Sequence, residues 1–392
     1  MAGSALQFAV AAVAVAALAA GVAWPLLDHA SGDTPAGPPV PTAAQVAAAC
    51  NVGGTPCVQD QLEAVMLAHG LEPAFALLDQ LSASDAAVMH EQHNIAHHLG
   101  RASLGYYPSS TEALRHCPTT MASGCFHGVL ERHFNDVGPP TRKADVTALC
   151  TDAEGSFRFF QCLHGLGHGL DMVAMHQLPT ALQWCDLFDD SWARESCAGG
   201  VFMENVQGDV TMQHEDMPGM SGMGGMNMTW EPLRPADPLY PCNQVAERWW
   251  HACYWMQSSV LLKEGKTTSE VFAACDLAPA PFDEVCYESM GRDISGAQLR
   301  DGPKVLRQCG LGNVTRLPHC IYGAVQEMVN NKGDAAPGFA FCPTVPTDSK
   351  LLCYRAVGIM VHSLVADAAG RAAACGKAEA EFVQVCTVAA RA

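Results

Sequence analysis

The sequence predicts an all-α solenoid of about ten helical hairpins, and three observations carry that prediction. Eighteen cysteines fall into nine local pairs. The first members of the last five pairs are Cys242, Cys275, Cys309, Cys342 and Cys375, and their partners Cys253, Cys286, Cys320, Cys353 and Cys386 follow at one constant interval. The beat of these pairs, roughly 33–34 residues, is the length of one helix–turn–helix repeat. Strand signals are nearly absent, and 49% hydrophobic residues supply a continuous spine for stacked units.

The chain opens on residues 5–23 (ALQFAVAAVAVAALAAGVA), an uncharged run whose apolar character extends to Leu27. Its length suits a bilayer span. Small-residue cleavage sites exist at Ala17-Leu18-Ala19 and Gly21-Val22-Ala23, but the leader MAGS carries no basic residue, so the reading of 1–27 leans from signal peptide toward an uncleaved membrane anchor. Residues 28–43 are rich in Pro, Gly and Ala, which suits a stalk. Residues 44–392 hold the array. An even cysteine count at regular spacing reads as a disulfide framework made in an oxidising, extracytoplasmic compartment, periplasmic, cell-surface or secreted.

The units follow in order. Cys50/Cys57 opens the array. The step from Cys50 to Cys117 is two periods, so a unit without cysteines is expected over 82–107, with Ser84 where its first cysteine would stand. Cys117/Cys125, Cys150/Cys162 and Cys185/Cys197 are three more units. The step from Cys185 to Cys242 exceeds one period and makes room for an insertion at about 208–231, before the five regular pairs. Residues 267–295 illustrate one unit. Thr268 or Ser269 caps a short helix ending at Cys275, the run DLAPAP breaks it because proline cannot continue a helix, and a second helix, FDEVCYESMGRDI, carries Cys286 near its start. Local pairing joins the end of one helix to the start of the next, and closing so short a loop is worth about 2–3 kcal/mol in the chain-entropy account.

With this period and hairpin pattern, residues 50–390 resemble the tetratricopeptide-like superfamily of helical-hairpin repeats, in particular its secreted, cysteine-stapled type. The resemblance implies a superhelix with a concave face, and carries no residue-level role. The superfamily's usual Trp, Gly, Tyr, Ala and Pro consensus is not visible in this chain.

Ten of the sixteen histidines lie between His90 and His176. Counting from the second cysteine of each unit, His127 and His164 are both at plus two, and the shared pattern HHLGR/HGLGH puts His97 at the equivalent position. Equivalent positions of stacked units face one side, so these three histidines are expected to form a ladder. Helical spacing adds His93, Glu131, His168 and Asp171 to the same faces. Imidazole and carboxylate together are what a divalent metal needs. The competing reading makes the histidines core residues bonded to backbone or carboxylate, with Gly128, Gly165, Gly167 and Gly169 serving tight packing. His90, His98, His116, His133 and His176 read as solvated, packed or supporting. His90-Glu91-Gln92-His93 has the wrong spacing for the zinc helix HExxH.

The insertion holds Met212, Met217, Met220, Met223, Met226, Met228 and His214, and its central methionines Met217, Met220, Met223 and Met226 recur every third residue among Gly, Pro, Ser and Asn. Thioethers select Cu(I) and imidazole serves Cu(II), so the loop reads as copper capture or as an adaptable apolar contact. In the later units the comparable positions are Glu288, Arg292, Tyr322, Gln326 and Arg355. Trp249, Trp250, Tyr254 and Trp255 read as packing surface or as an aromatic wall.

A formal charge of −18 argues against nucleic acid and anionic lipid headgroups as partners. No phosphate loop, Ser/His/Asp order or dinucleotide fingerprint stands out, and with every cysteine paired a thiol nucleophile is not expected. Three functions remain: an extracytoplasmic copper-binding protein; a metalloenzyme using iron, copper or zinc; and a scaffold whose concave face binds another envelope protein.

Overall fold

The computed structural model describes residues 39–50, 54–150, 157–207 and 230–391. The apolar N-terminal run, the stalk through residue 38 and nearly all of the methionine-rich insertion lie outside the described residues. Among the described residues there are twenty α-helices, short 3₁₀ turns and no strand, and no helix is long and apolar enough to cross a membrane.

The helices pair into ten hairpins. The first five are α1 (Ala43–Ala49) with α2 (Gly54–His69), α3 (Leu71–Ser84) with α4 (Ala86–Ala102), α5 (Ser110–His116) with α6 (Gly124–Val137), α7 (Lys143–Thr147) with α8 (Phe157–Val173), and α9 (Leu178–Cys185) with α10 (Ser191–Gln207). In the sixth, the first arm shrinks to a 3₁₀ turn, Cys242–Gln244, and the second breaks into α11 (Trp250–Tyr254) and α12 (Gln257–Lys263). The last four are α13 (Thr268–Cys275) with α14 (Phe282–Ala297), α15 (Gly302–Cys309) with α16 (Leu317–Lys332), α17 (Ala336–Phe341) with α18 (Thr347–Leu364), and α19 (Ala368–Cys375) with α20 (Val383–Ala389).

All nine disulfides join the expected local pairs, with Cα atoms 5.4 to 5.8 Å apart. Nine staples in one chain fit an oxidising, extracytoplasmic setting. The cysteine-free unit is held differently. Asp85 makes its turn, and the Asp85 carboxylate accepts from the Ala87 and Val88 N–H groups at the start of α4. In the unit at 267–295 the cap is Thr267, one residue before the expected Thr268 or Ser269. Its hydroxyl accepts from Glu270 N–H while the Glu270 carboxylate bonds back to Thr267, closing a capping box.

The second arms stack in a row, α4 on α6 on α8 on α10, then α14 on α16 on α18 on α20, with α11 and α12 joining α10 to α14. In most units the residue after the second cysteine is buried in this spine, as Phe126, Leu163, Tyr254, Tyr287, Ile321 and Tyr354 are. Two glycines set how close the arms come. A Cβ on Gly128 would lie 1.9 Å from the His97 carbonyl oxygen, and one on Gly200 would lie 1.8 Å from that of His164. Only glycine lets α6 lie against α4, and α10 against α8, at that distance.

The row also curls back on itself. A 3₁₀ turn, Met121–Ser123, packs against α16 of the eighth unit. Nearby, the Thr119 carbonyl oxygen faces Gly333, where a Cβ would approach to 2.5 Å. The concave side therefore encloses a cavity of about 720 Å³, walled from His93 on α4 round to Met360 on α18. Glu288, Arg292, Tyr322 and Gln326 line it, as does Trp255. Trp249 and Tyr254 are in the core instead, and Arg355 is exposed.

Candidate metal centre

Five histidines from three consecutive second arms converge at one wall of the cavity. His93 and His97 lie one turn apart on α4, His127 is on α6, and His164 and His168 are one turn apart on α8. Ring centroids are 4.6 Å apart for His93–His97, 4.7 Å for His97–His127, 5.2 Å for His127–His164 and 4.2 Å for His127–His168. The ladder expected of His97, His127 and His164 is thus a contiguous cluster. It ends at α10 because the next equivalent position is Gly199. A Cβ there would stand 3.4 Å from His164 Nδ1, in contact with that ring.

The hydrogen bonds orient the rings. His93 Nδ1 faces the Met121 carbonyl at 2.8 Å, His97 Nδ1 faces Glu131 Oε1 at 2.7 Å, and His168 Nδ1 faces Glu204 Oε2 at 2.9 Å. His164 bonds to the Ser196 backbone. A ring nitrogen facing carbonyl or carboxylate oxygen is the one that carries hydrogen, which leaves the other with a lone pair. In His93 and His97 that other atom is Nε2, and the two Nε2 atoms face each other at 3.1 Å; His127 Nδ1 lies 2.9 Å from His97 Nε2. Two nitrogens bound to one ion at ~2.0–2.1 Å stand roughly 3.0–3.4 Å apart. These nitrogens are therefore already spaced much as ligands are. His127 Nε2 and His168 Nε2 are buried and have no hydrogen-bond partner among the described residues. Donor atoms of His93, His97 and His127, of His127, His164 and His168, and of Glu131, His168 and Glu204 each fall within 4.8 Å of one another. These buried histidines and glutamates could hold a metal ion.

The anchor for His93 is a strained piece of backbone. Met121, Ala122 and Ser123 take φ of 55°, 48° and 72°, a left-handed turn made without glycine, each residue costing ~1–2 kcal/mol. That turn presents the Met121 carbonyl to His93 and also closes the array against α16.

Burial, reinforced by neighbouring imidazoles, pushes His93 down to about 3 and holds His127 and His164 well below the usual histidine range. Burial works to raise Glu131, but His97 and Arg101 outweigh it and hold the carboxylate well below its usual value. Arg101 Nη1 donates to Glu131 Oε2 at 2.7 Å. His93, His127 and His164 are thus held neutral beside an ionised Glu131 carboxylate, protonation states that suit a metal ion.

Asp171, expected on the same face, is turned elsewhere. Its Oδ2 accepts from His176 Nδ1 at 3.0 Å in a pair that is fully buried, and Asp171 is not in any of the three donor groups. The remaining histidines are engaged or exposed: His98 pairs with Glu63, His133 Nδ1 meets the Ser110 hydroxyl at 2.8 Å, His116 stacks on Tyr107 at 4.6 Å, and His90 is exposed. Met217, Met220, Met223 and Met226 lie outside the described residues. Glu204, 3% exposed, was not expected. Register counting reaches Met203 on α10, and Glu204 is one place beyond it; the available signal was a lone carboxylate in the small and apolar run CAGGVFMEN.

No family model matches the chain, and no significant match is found among the curated proteins or the solved structures.

Proposed function

We propose that this chain is a metal-binding helical-repeat protein of an extracytoplasmic compartment, built on the hairpin plan of the tetratricopeptide-like superfamily. It holds a transition-metal ion among His93, His97, His127, His164 and His168, with Glu131 and Glu204 as supporting carboxylates. One observation carries this reading: four of the five rings spend one nitrogen on an oxygen acceptor and turn the other toward their neighbours, in a site that disfavours protons. Metal-binding histidines are held in this way by an outer carboxylate or carbonyl. A histidine packed for stability alone gains nothing from a lone pair aimed at another lone pair.

Copper is the ion favoured. Imidazole serves copper, zinc and iron alike, whereas the Met217, Met220, Met223 and Met226 thioethers add a soft set suited to Cu(I). Metal content of the chain exported to an oxidising compartment tests this, beside a variant with His97, His127 and His164 changed to alanine and one with the four methionines changed. Bound metal lost in the histidine variant supports the centre; copper capture weakened in the methionine variant supports the copper reading. Equal metal in wild type and histidine variant would sink it.

A second reading, a metalloenzyme with copper, iron or zinc, is favoured by the cavity. At about 720 Å³ it is large enough for a small organic ligand, and His93 and His164 belong to both the cluster and its lining. A docking role for another envelope protein on the concave face draws less support, because that face is folded into the same cavity.

A further inference from the structure

The five histidines are not equivalent, and the difference lies in what each does with its second nitrogen. His93, His97, His164 and His168 each have one nitrogen on an oxygen acceptor, namely the Met121 carbonyl, Glu131, the Ser196 backbone and Glu204. His127 has none. Its Nδ1 faces His97 Nε2 at 2.9 Å, and its Nε2 is buried without a hydrogen-bond partner among the described residues. The ring is 1% exposed, so solvent does not serve that atom. Two His-x3-His pairs, on α4 and α8, flank this single ring on α6. The donor groups overlap at this ring: His127 belongs both to the group with His93 and His97 and to the group with His164 and His168.

We infer that the cluster is a two-ion centre in which the His127 ring bridges the ions, Nδ1 facing the His93/His97 pair and Nε2 facing the His164/His168 pair. This deepens the metal-binding reading and rests on it. Unanchored rings are unusual among metal-binding histidines, whose free nitrogen is normally held by an outer acceptor. A bridging ring has no free nitrogen, which is what the His127 environment provides. A bridge needs both nitrogens as donors, so the ring's N–H proton leaves to solvent as the second ion binds. With metal–nitrogen bonds of ~2.0 Å the ions would stand roughly 6 Å apart. Glu204 Oε1, buried and without a hydrogen-bond partner among the described residues, offers a further carboxylate oxygen beside His168. The third donor group, Glu131 with His168 and Glu204, is a poorer seat. Both Glu131 oxygens are committed, one to His97 and one to Arg101, and the guanidinium repels a cation.

The experiment is a titration of the metal-free full chain with Cu(II), followed by paramagnetic resonance, proton release and native mass spectrometry. The bridge predicts two ions per chain at the cluster. The second ion should release one proton more than the first, and the resonance intensity should fall as it binds, because bridged Cu(II) ions couple. An ion captured by the methionine-rich segment would add intensity. In His127→Ala, with helix content checked by circular dichroism, the two signals should become additive; His168→Ala should lose the second ion and keep the first. If that bridge variant fails to fold, the wild-type intensity still decides. One ion only, or two with additive intensity in the wild type, overturns the bridge and leaves the metal centre standing. No ion lost when His93, His97, His164 and His168 are all changed to alanine overturns both.

Discussion

Glu131 Oε1 stands 2.7 Å from His97 Nδ1, across the interface of α6 and α4. The carboxylate's other oxygen takes Arg101 Nη1, so one buried acid fixes both the tautomer of His97 and the place of the Arg101 guanidinium. The contact ties one unit of the array to the next. It turns His97 Nε2 toward His93 and His127 rather than toward solvent.

Glu131→Gln should therefore weaken metal binding without removing a nitrogen donor. An amide presents less charge to His97 Nδ1–H and no longer neutralises Arg101. Loss of such an outer partner costs ~10–100-fold in affinity. Competition with a chelator of known affinity measures it. An unchanged affinity would mean that His97 is oriented by packing alone.

The metal-free fold should lose stability in acid, beginning near neutrality. His127 and His164 are held below 6.5 mainly by burial, and His93 is brought to about 3. Below 6.5 the unfolded chain takes up protons that the folded chain refuses, so stability is complete above that value and declines as pH falls toward 3. The slope is about 1.4 kcal/mol per pH unit for each such histidine. Thermal melts of metal-free protein from pH 8 to pH 4 test this; a flat profile through pH 6 would show the rings to be solvated.

Packing at the α4–α6 interface makes the glycines separable by substitution. Gly128→Ala puts a Cβ 1.9 Å from a backbone carbonyl, so α6 must move off α4. The overpacking costs ~1–3 kcal/mol and spreads His127 from His97, lowering metal affinity as well. Gly296 on α14 has open space where its Cβ would go. Gly296→Ala should instead stabilise, by up to ~1 kcal/mol, through helix propensity. Chemical denaturation of the pair checks both signs at once.

The fold was legible because it is periodic. Cysteine spacing marks each hairpin turn, and the same count puts His97, His127 and His164 in register, since stacked units repeat one geometry. Two things escaped. Glu204 sits one residue out of register with Met203, so counting passes over it. The curl that brings the Met121–Ser123 turn onto α16 depends on the summed rotation of several units and on a left-handed turn lacking glycine, and neither leaves a local mark. Asp171 illustrates the limit of helical spacing: it shares a helix face with His164 by count, but its carboxylate is held by His176, which the chain brings back from beyond the end of α8.

The disulfides should act independently of one another and of the metal centre. Each bridges only its own turn, and in a stacked array a unit mainly feels its neighbours. Removing the Cys342–Cys353 bridge, by changing both cysteines to serine, opens a loop of separation 11 in the ninth unit and should cost about 2–3 kcal/mol. Metal affinity should stay unchanged, because the five histidines lie on α4, α6 and α8 and their carboxylates on α6 and α10, none of them in the ninth unit. Removing Cys117–Cys125 should cost a similar amount of stability and also weaken metal binding, because that bridge pins the start of α6 just before His127. Denaturation midpoints and metal competition on the two variants separate the effects. Equal loss of metal in both would mean that the array unfolds as one cooperative block, and that the centre depends on the whole superhelix rather than on three adjacent arms.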